Sequence, residues 1–336
     1  MRHTLRLGLV VGLLASATVA SAQILPSYGG DRAGTSGFQF LEVPVDPRGA
    51  ALGGTAVATA NDASALFWNP ALITRGGDTQ VGLARLQYVA DVSMNYAAVS
   101  RAVGPFTIGA HVQSLDSGEM LVTDEYSGPR GTGQTFSYLG VVGGVTLAQA
   151  LTDLFSYGVT AKFVRESAAE VNMDAALVDL GVHYRVGDTG ANIGIAIRNF
   201  GLNGFADGEL PRQTVEGETV TEDDFEDLVP PTTFLLGMSY DVLRGASDHA
   251  LTVSGQLTNP NDDAELFNVG VEYTFSDLLA LRAGYAFGAD ERTVPTAGFG
   301  LNLPGLGDDR DLRVDYGFSH FDRLGTTHRI GLTATL

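Results

Sequence analysis

Much of the chain after residue 90 alternates apolar and polar residues with a period of two. The clearest copies are residues 267–275, 312–319 and 329–336, where large apolar side chains occupy every second position. The positions between them carry charged, small or hydroxyl side chains. Successive side chains of a β-strand point to opposite faces, so this pattern predicts strands with one apolar face and one polar face.

The quality of the two faces decides between a soluble sheet and a membrane protein, because a soluble antiparallel sandwich also alternates. The apolar face carries aliphatic and aromatic residues over about nine to eleven positions, the length of a tilted membrane-spanning strand. The other face carries Arg, Asp, Glu, Lys and Gly, which suit a wet or plugged lumen. The sequence therefore predicts an all-β fold, a transmembrane antiparallel β-barrel.

Fourteen segments are candidate strands, an even number as in bacterial barrels. They are residues 79–90, 91–101, 105–115, 135–147, 156–166, 174–186, 191–200, 232–243, 249–258, 266–275, 279–288, 294–303, 312–320 and 328–336. The first and fourth alternate poorly, so we expect them to be bent or bulged. Short connections fall on one end of the barrel and the long segments 116–134 and 201–231 on the other, which is the asymmetry of outer-membrane barrels.

The N-terminus has the features of a secretory signal peptide. Arg2, His3 and Arg6 precede a short apolar stretch that closes with Ala20-Ser21-Ala22, so cleavage is expected after Ala22. This predicts a signal peptide at 1–22, an N-terminal periplasmic or hatch segment at 23–78 and a transmembrane β-barrel at 79–336. The expected location is the outer membrane of a diderm bacterium.

Composition narrows the possible functions. The formal net charge of −19 argues against nucleic-acid binding, and the absence of cysteine excludes disulfides and thiolate chemistry. The sequence has no phosphate-binding loop and no nucleophile elbow, and its six histidines lack the paired spacing of a zinc site. We therefore expect no enzymatic activity, no metal site and no cofactor.

The polar faces of the predicted strands carry charges of both signs. The lumen-facing candidates are Lys162, Asp179, Arg185, Arg198, Glu272, Arg282, Arg313 and Asp315. Ion pairs across neighbouring strands would stiffen the wall and fill the lumen. A ring of one sign would instead favour a selective channel, and the sequence leaves both interpretations open.

The segment before the barrel is rich in Gly and Ala and carries the only tryptophan. An acidic or amide residue at 61–62 can cap a short helix through Leu66, and Pro70 should end that helix in a turn. The segment is either a hatch folded into the barrel mouth or a plain lead-in to the first strand. Its candidate site residues are Arg48, Gly49, Gly53, Gly54, Asn61, Asp62, Phe67, Trp68, Asn69, Pro70 and Ala71.

This segment also carries a resemblance to a known family. An Arg-Gly-Ala-Ala-Leu-Gly-Gly turn followed by Asn-Asp-Ala-Ser-Ala-Leu-Phe-Trp-Asn-Pro-Ala-Leu, within residues 40–72, resembles the opening of PorV/PorQ outer-membrane proteins. That family is similar in turn to the fourteen-stranded FadL-like fatty acid transporters, which share an Asn-Pro-Ala motif after their hatch. The resemblance implies a non-enzymatic accessory role in type IX protein secretion or surface attachment of cargo.

Three functions stay open on the sequence. The first is the secretion accessory, whose partners would be secreted cargo proteins and other secretion-system components. The second is a FadL-like transporter of hydrophobic small molecules, which would have an apolar lumen pocket and a kinked strand opening towards the lipid. The third is a purely structural barrel. In every case we expect outer-membrane lipid around the barrel and no nucleic-acid partner.

Overall fold

The structure is a computed structural model that describes residues 34–123, 131–213, 219–222, 225–243, 248–289, 291–304 and 311–336. The predicted signal peptide at 1–22 lies outside these residues. Two acidic stretches of the sequence, 222–227 and 308–311, lie partly outside them as well, at residues 223–224 and 308–310.

Fourteen antiparallel strands close into a barrel, which confirms the predicted fold class. The strands are β1 (Thr79–Gln87), β2 (Ser93–Val103), β3 (Phe106–Leu121), β4 (Thr135–Ala150), β5 (Phe155–Ala168), β6 (Val171–Arg185), β7 (Ala191–Gly201), β11 (Thr233–Asp241), β12 (His249–Pro260), β13 (Leu266–Phe275), β14 (Leu279–Phe287), β15 (Thr296–Pro304), β16 (Asp311–Phe321) and β17 (Gly325–Thr335). Each strand pairs with the next barrel strand, and β17 pairs with β1 to close the ring. In outer-membrane barrels the short turns face the periplasm, and we name the two ends accordingly.

Three further strands lie in the long connection between β7 and β11, which the sequence predicted to be a loop. They are β8 (Phe205–Gly208), β9 (Leu210–Gln213) and β10 (Thr219–Glu222). β8 pairs with the extracellular end of β6, and β9 pairs with β10 as a separate hairpin. The sequence missed them because four-residue strands are too short to establish a period.

The two faces of the barrel are inverted relative to a soluble sheet. In β5, for example, Tyr157 and Phe163 are exposed on the outer face, whereas Thr160 and Lys162 are buried on the inner face. Such an apolar exterior is stable in a bilayer, where every backbone polar group must be paired within the barrel.

Two β-bulges interrupt the otherwise regular ladder. Three steps on β3, from Asp116 to Glu119, face two steps on β4, and Gly118 within them has φ +67°. The second bulge lies in β7 opposite β6, where Asn199 has φ +56°. The first and fourth strands were expected to be bent or bulged, and neither is bulged. β1 and β4 contribute no extra residue to the ladders with their neighbours.

The helical elements all precede β1 in the part of the chain that the structure describes. They are a 3₁₀ helix at Gln39–Glu42, α1 (Pro47–Ala51), α2 (Ala65–Trp68) and a second 3₁₀ helix at Pro70–Arg75. None of the described helices has the length and apolar character needed to cross a membrane. Residues 34–78, here called the N-terminal segment, supply much of the buried core.

Candidate functional site: the N-terminal segment and the barrel lumen

The N-terminal segment contacts the inner faces of strands on opposite sides of the ring. A Cβ atom added to glycines of the wall would meet this segment in several places: Gly140 at Phe40, Gly158 at Pro70, Gly284 at Leu52 and Gly317 at Pro47. The segment descends from the extracellular end at the first 3₁₀ helix to the periplasmic end at the second. Glycines of the barrel wall permit this close approach, because they have no side chain to separate the wall from the N-terminal segment.

Short polar side chains determine the local structure of the segment. The Asp46 carboxylate caps α1 by accepting hydrogen bonds from the backbone N–H groups of Arg48 (3.2 Å) and Gly49 (2.7 Å), and Pro47 occupies the first helical position. Gly53 and Gly54 follow with φ of +70° and +91°, which turn the chain after the helix.

The Asn-Pro-Ala motif is a structural junction at the periplasmic half of the lumen. Asn69 has extended backbone angles, which ends α2 as predicted from Pro70. Its side-chain oxygen accepts from the Ala71 N–H at 3.1 Å, capping the second 3₁₀ helix. Its amide nitrogen donates to the carbonyl oxygens of Val57 (2.9 Å) and Val182 (3.1 Å). Asn69 thus connects three parts of the chain, and Gly181 of β6 leaves the room for it.

The start of α2 differs from the prediction. The helix spans Ala65–Trp68, its N-cap residue is Ser64, and no side chain caps it. The Asp62 carboxylate instead accepts from the backbone N–H and hydroxyl of Ser64. The other carboxylate oxygen of Asp62 pairs with Arg313. Asn61 is exposed, and its carbonyl oxygen accepts from Gln80.

Trp68 is buried and has a polar partner. Its indole N–H donates to Asp46 Oδ2 at 3.2 Å, and its ring meets the edge of Phe67 at 5.0 Å between centroids. A Cβ atom at Gly49 would lie 2.6 Å from the indole ring, so only glycine fits there.

Six alternating charges connect the segment to β13, β14 and β16. The chain of ion pairs runs Arg48–Glu272 (2.8 Å), Glu272–Arg282 (2.5 Å), Arg282–Asp315 (2.6 Å), Asp315–Arg313 (2.6 Å) and Arg313–Asp62. Its three cations balance its three anions. These contacts favour the structural-pairing interpretation over a ring of one sign.

The other predicted lumen charges lie on β5 to β7. Lys162 pairs with Asp179 at 2.5 Å and donates to Asn199 Oδ1 at 2.7 Å. Arg198 donates to the Leu41 carbonyl oxygen at 2.9 Å, and its guanidinium lies 3.9 Å from the centre of the Phe67 ring. Arg185 is exposed at the periplasmic end of β6 and joins neither group.

Several wall residues that the sequence analysis overlooked hold the backbone of the segment. Arg329 donates to the Pro44 carbonyl oxygen at 2.8 Å, and Gln113 donates to that of Phe40 at 3.0 Å. Gln256 accepts from the Val57 N–H at 3.1 Å, and Asn268 donates to the Gly53 carbonyl oxygen. Their inward parity in the alternating pattern was a usable signal.

An apolar cluster also faces the lumen, beside the inward charges of β5 to β7, whereas a generally charged inner face was expected. Leu86, Met94, Val142, Val164 and Leu177 of β1, β2, β4, β5 and β6 are buried in a cluster with apolar residues of the segment. The segment contributes Phe38, Phe40, Leu41, Leu66, Phe67, Trp68 and Leu72 to it. The alternating pattern did not reveal this cluster, because inward positions of the same strands also carry charged side chains.

Burial and neighbouring charges shift two carboxyl pKa values of the segment in opposite directions. Burial, with Asp262 nearby, raises the pKa of Glu42 to about 7, although Thr233 donates to it at 3.0 Å. Burial also acts to raise the pKa of Asp62, but Arg313 and Arg48 outweigh it and lower that pKa to about 2. Glu42 is therefore a segment carboxyl with a pKa near neutral pH, and burial also raises the pKa of Asp46.

A small pocket lies in the lumen beside this segment, and a larger cavity lies on the outside of the barrel. A pocket of about 20 Å³ lies next to Asp46, Ser64 and Asp315, which is room for about one water molecule. A cavity of about 660 Å³ lies instead on the outer face of β17, β1, β2 and β3. Within the described ranges, no group of three or more His, Asp or Glu side chains is arranged to hold a metal ion.

No family model matches the chain, and no curated protein matches it. Solved structures do. The toluene transporter TodX of Pseudomonas putida has 12% identity and a TM-score of 0.58, over 86% of this chain and 96% of that one. The toluene transporter TbuX of Ralstonia pickettii has 15% identity and a TM-score of 0.57 over the same shares. The monoaromatic hydrocarbon channel CymD has 14% identity and a TM-score of 0.56, over 87% of this chain and 97% of that one.

This chain has the barrel fold of these channels and transporters. The likeness supports the predicted outer-membrane location. It also supports the FadL-like part of the resemblance found in the sequence, whereas the PorV/PorQ family itself is not shown. The neighbours are channels and transporters rather than enzymes.

Proposed function

We propose that this protein carries hydrophobic small molecules across the outer membrane and that the N-terminal segment is its hatch. The apolar cluster in the lumen is the observation that carries the proposal. Phe38, Phe40 and Phe67 of the segment belong to this cluster, together with apolar wall residues. A phenyl side chain is about the size of a monoaromatic hydrocarbon, so displacing these rings would leave a site of matching size and polarity.

The chain of ion pairs along β13, β14 and β16 has a different role in this proposal. It holds the segment through Arg48 and Asp62. A hatch must be held firmly enough to prevent leakage and must still release. Buried ion pairs suit a hatch of this kind, because the cost of desolvating their charges offsets much of their attraction. Their net contribution to the stability of the closed state is therefore smaller than their number suggests.

An engineered disulfide tests whether the segment must move. The chain has no cysteine, and the hydroxyl oxygens of Thr55 in the segment and Ser254 in β12 lie 2.7 Å apart. The double variant Thr55→Cys/Ser254→Cys should therefore oxidise to a tether. We expect its oxidised form to lose uptake of radiolabelled toluene in proteoliposomes and to recover uptake when reduced.

The two single-cysteine variants are the controls, and their uptake should not respond to oxidation. Equal toluene uptake by the oxidised and reduced double variant would reject the hatch. Absence of saturable uptake in the unmodified protein, across a panel of aromatic and aliphatic hydrocarbons, would reject the carrier.

The secretion-accessory hypothesis stays distinguishable by phenotype. It requires that deleting the gene impairs surface display of secreted proteins while hydrocarbon uptake is unchanged. The structural neighbours favour the carrier, which was the second of the three hypotheses from the sequence.

A further inference from the structure

We propose that the outer cavity of about 660 Å³ on β17, β1, β2 and β3 binds one anionic lipid of the outer leaflet, with its phosphate against Arg85. The volume lies within the range of roughly 300–1,000 Å³ that is usual for small-molecule sites. The inference requires only that the barrel spans the outer membrane, so it is independent of the transport proposal.

Two cross-strand rows of outward side chains make the cavity amphiphilic. The lower row is apolar and consists of Leu332, Leu83, Ala97 and Val112. The small Ala97 stands between two larger residues in this row, which creates the depression. The next row towards the extracellular end consists of Ile330, Arg85, Asn95 and Ser114. Acyl chains fit along the lower row and a polar head fits beside the upper one.

Arg85 lacks an anionic partner within the described part of the protein. Its guanidinium donates to Asn95 Oδ1 at 3.2 Å, and none of the described carboxylates lies within ion-pair distance. Arg165, also outward near the extracellular end, donates from Nε and Nη2 to the Asp174 carboxylate, at 2.6 and 2.7 Å. Arg85 thus keeps donors free in a chain whose net charge is −19.

An anionic lipid satisfies both features of the cavity. Arginine binds phosphate oxygens through two parallel hydrogen bonds, and a cation at the membrane interface attracts anionic heads. Asn95 and His328, which also line the cavity, add polar groups beside the head. A neutral hydrocarbon would leave Arg85 without a counter-charge.

The test uses the full mature chain in detergent and native mass spectrometry. The probes are dioleoyl phosphatidylglycerol, which is anionic, and dioleoyl phosphatidylcholine, which is zwitterionic. We expect one phosphatidylglycerol to bind with about tenfold preference, and Arg85→Gln to lower its affinity about tenfold. Ala97→Phe, which fills the depression and leaves Arg85 in place, should abolish phosphatidylglycerol binding.

Arg101→Gln is the matched control, because Arg101 is exposed on the outer side of the same wall near the periplasmic end of β2. It should bind phosphatidylglycerol as the unmodified protein does. Heat-modifiable migration on gels verifies that every variant forms the barrel. Unchanged phosphatidylglycerol affinity in Arg85→Gln or Ala97→Phe would overturn the proposal. Toluene could also displace the lipid with equal potency from the unmodified protein and from Arg85→Gln. That result would overturn the proposal too, because it would show that the cavity binds a neutral hydrocarbon independently of Arg85.

Discussion

Arg48 of the N-terminal segment makes a two-point ion pair with Glu272 of β13. Its Nε donates to Oε2 at 2.9 Å and its Nη2 to Oε1 at 2.8 Å, and both side chains are largely buried. Removing one partner of a buried pair leaves an uncompensated charge, at a cost of about 3–5 kcal/mol. We therefore expect Arg48→Met to lower the free energy of unfolding of the segment by about that amount. The measurement is urea unfolding followed by the fluorescence of Trp68, the single tryptophan.

Arg165→Gln is the control for this variant. Its ion pair with Asp174 is equally well formed but exposed, and such pairs contribute about 0–1 kcal/mol. Equal destabilisation by the two substitutions would show that the Arg48 pair does not hold the segment.

Asn69→Ala should loosen the periplasmic half of the segment. The substitution removes the acceptor for the Ala71 N–H and the donor for two carbonyl oxygens, each buried group costing about 1–3 kcal/mol when left unsatisfied. We expect larger ion conductance in planar bilayers than for Asn61→Ala, which alters an exposed neighbour. Identical conductance of the two variants would argue against Asn69 as a structural junction.

The seating of the extracellular half of the segment should depend on pH through Glu42. Its pKa is about 7 in the folded protein and about 4.5 when exposed, so the folded state binds the proton more tightly. Protonated Glu42 therefore stabilises the folded segment fully below about pH 4.5, and this stabilisation is lost as the pH rises to about 7. Deprotonated Glu42 faces Asp262 and Asp263, with Arg198 as the partly compensating cation. Asp62, with a pKa of about 2, stays charged throughout this window.

Hydrogen exchange of residues 38–45 measures this effect. After correction for intrinsic rates, the unmodified protein should exchange faster at pH 8 than at pH 5. Glu42→Gln should remove most of the difference, because the amide does not titrate. A pH dependence that persists in Glu42→Gln would place the responsible group elsewhere.

Deleting residues 328–336 should prevent assembly of the barrel. These residues form most of β17, which pairs with both β1 and β16. Their loss leaves two unpaired strand edges in lipid, where no water can satisfy the backbone. We expect no heat-modifiable protein in outer-membrane fractions, whereas a full-length Thr335→Ala control should assemble. Normal levels of the truncated protein in the membrane would contradict the closed topology.

The sequence alone determined the strands and the orientation of their faces. A period of two is a local property, so the pattern placed each of the fourteen strands within six residues of its observed bounds. It also identified several inward charges, such as Arg282 and Asp315 but not Arg329. The end of α2 was predicted correctly from Pro70. These features depend on side-chain alternation and backbone sterics within a few residues.

Only the tertiary structure decided which of these residues meet. Arg48 and Glu272 are 224 positions apart, and nothing local specifies that pairing or the path of the segment down the lumen. The bulges in β3 and β7 exist only relative to a partner strand, and the outer cavity exists only because Ala97 lines up with Leu83 and Val112. All of these contacts depend on the closed barrel. The register between neighbouring strands decides which of their side chains lie next to each other.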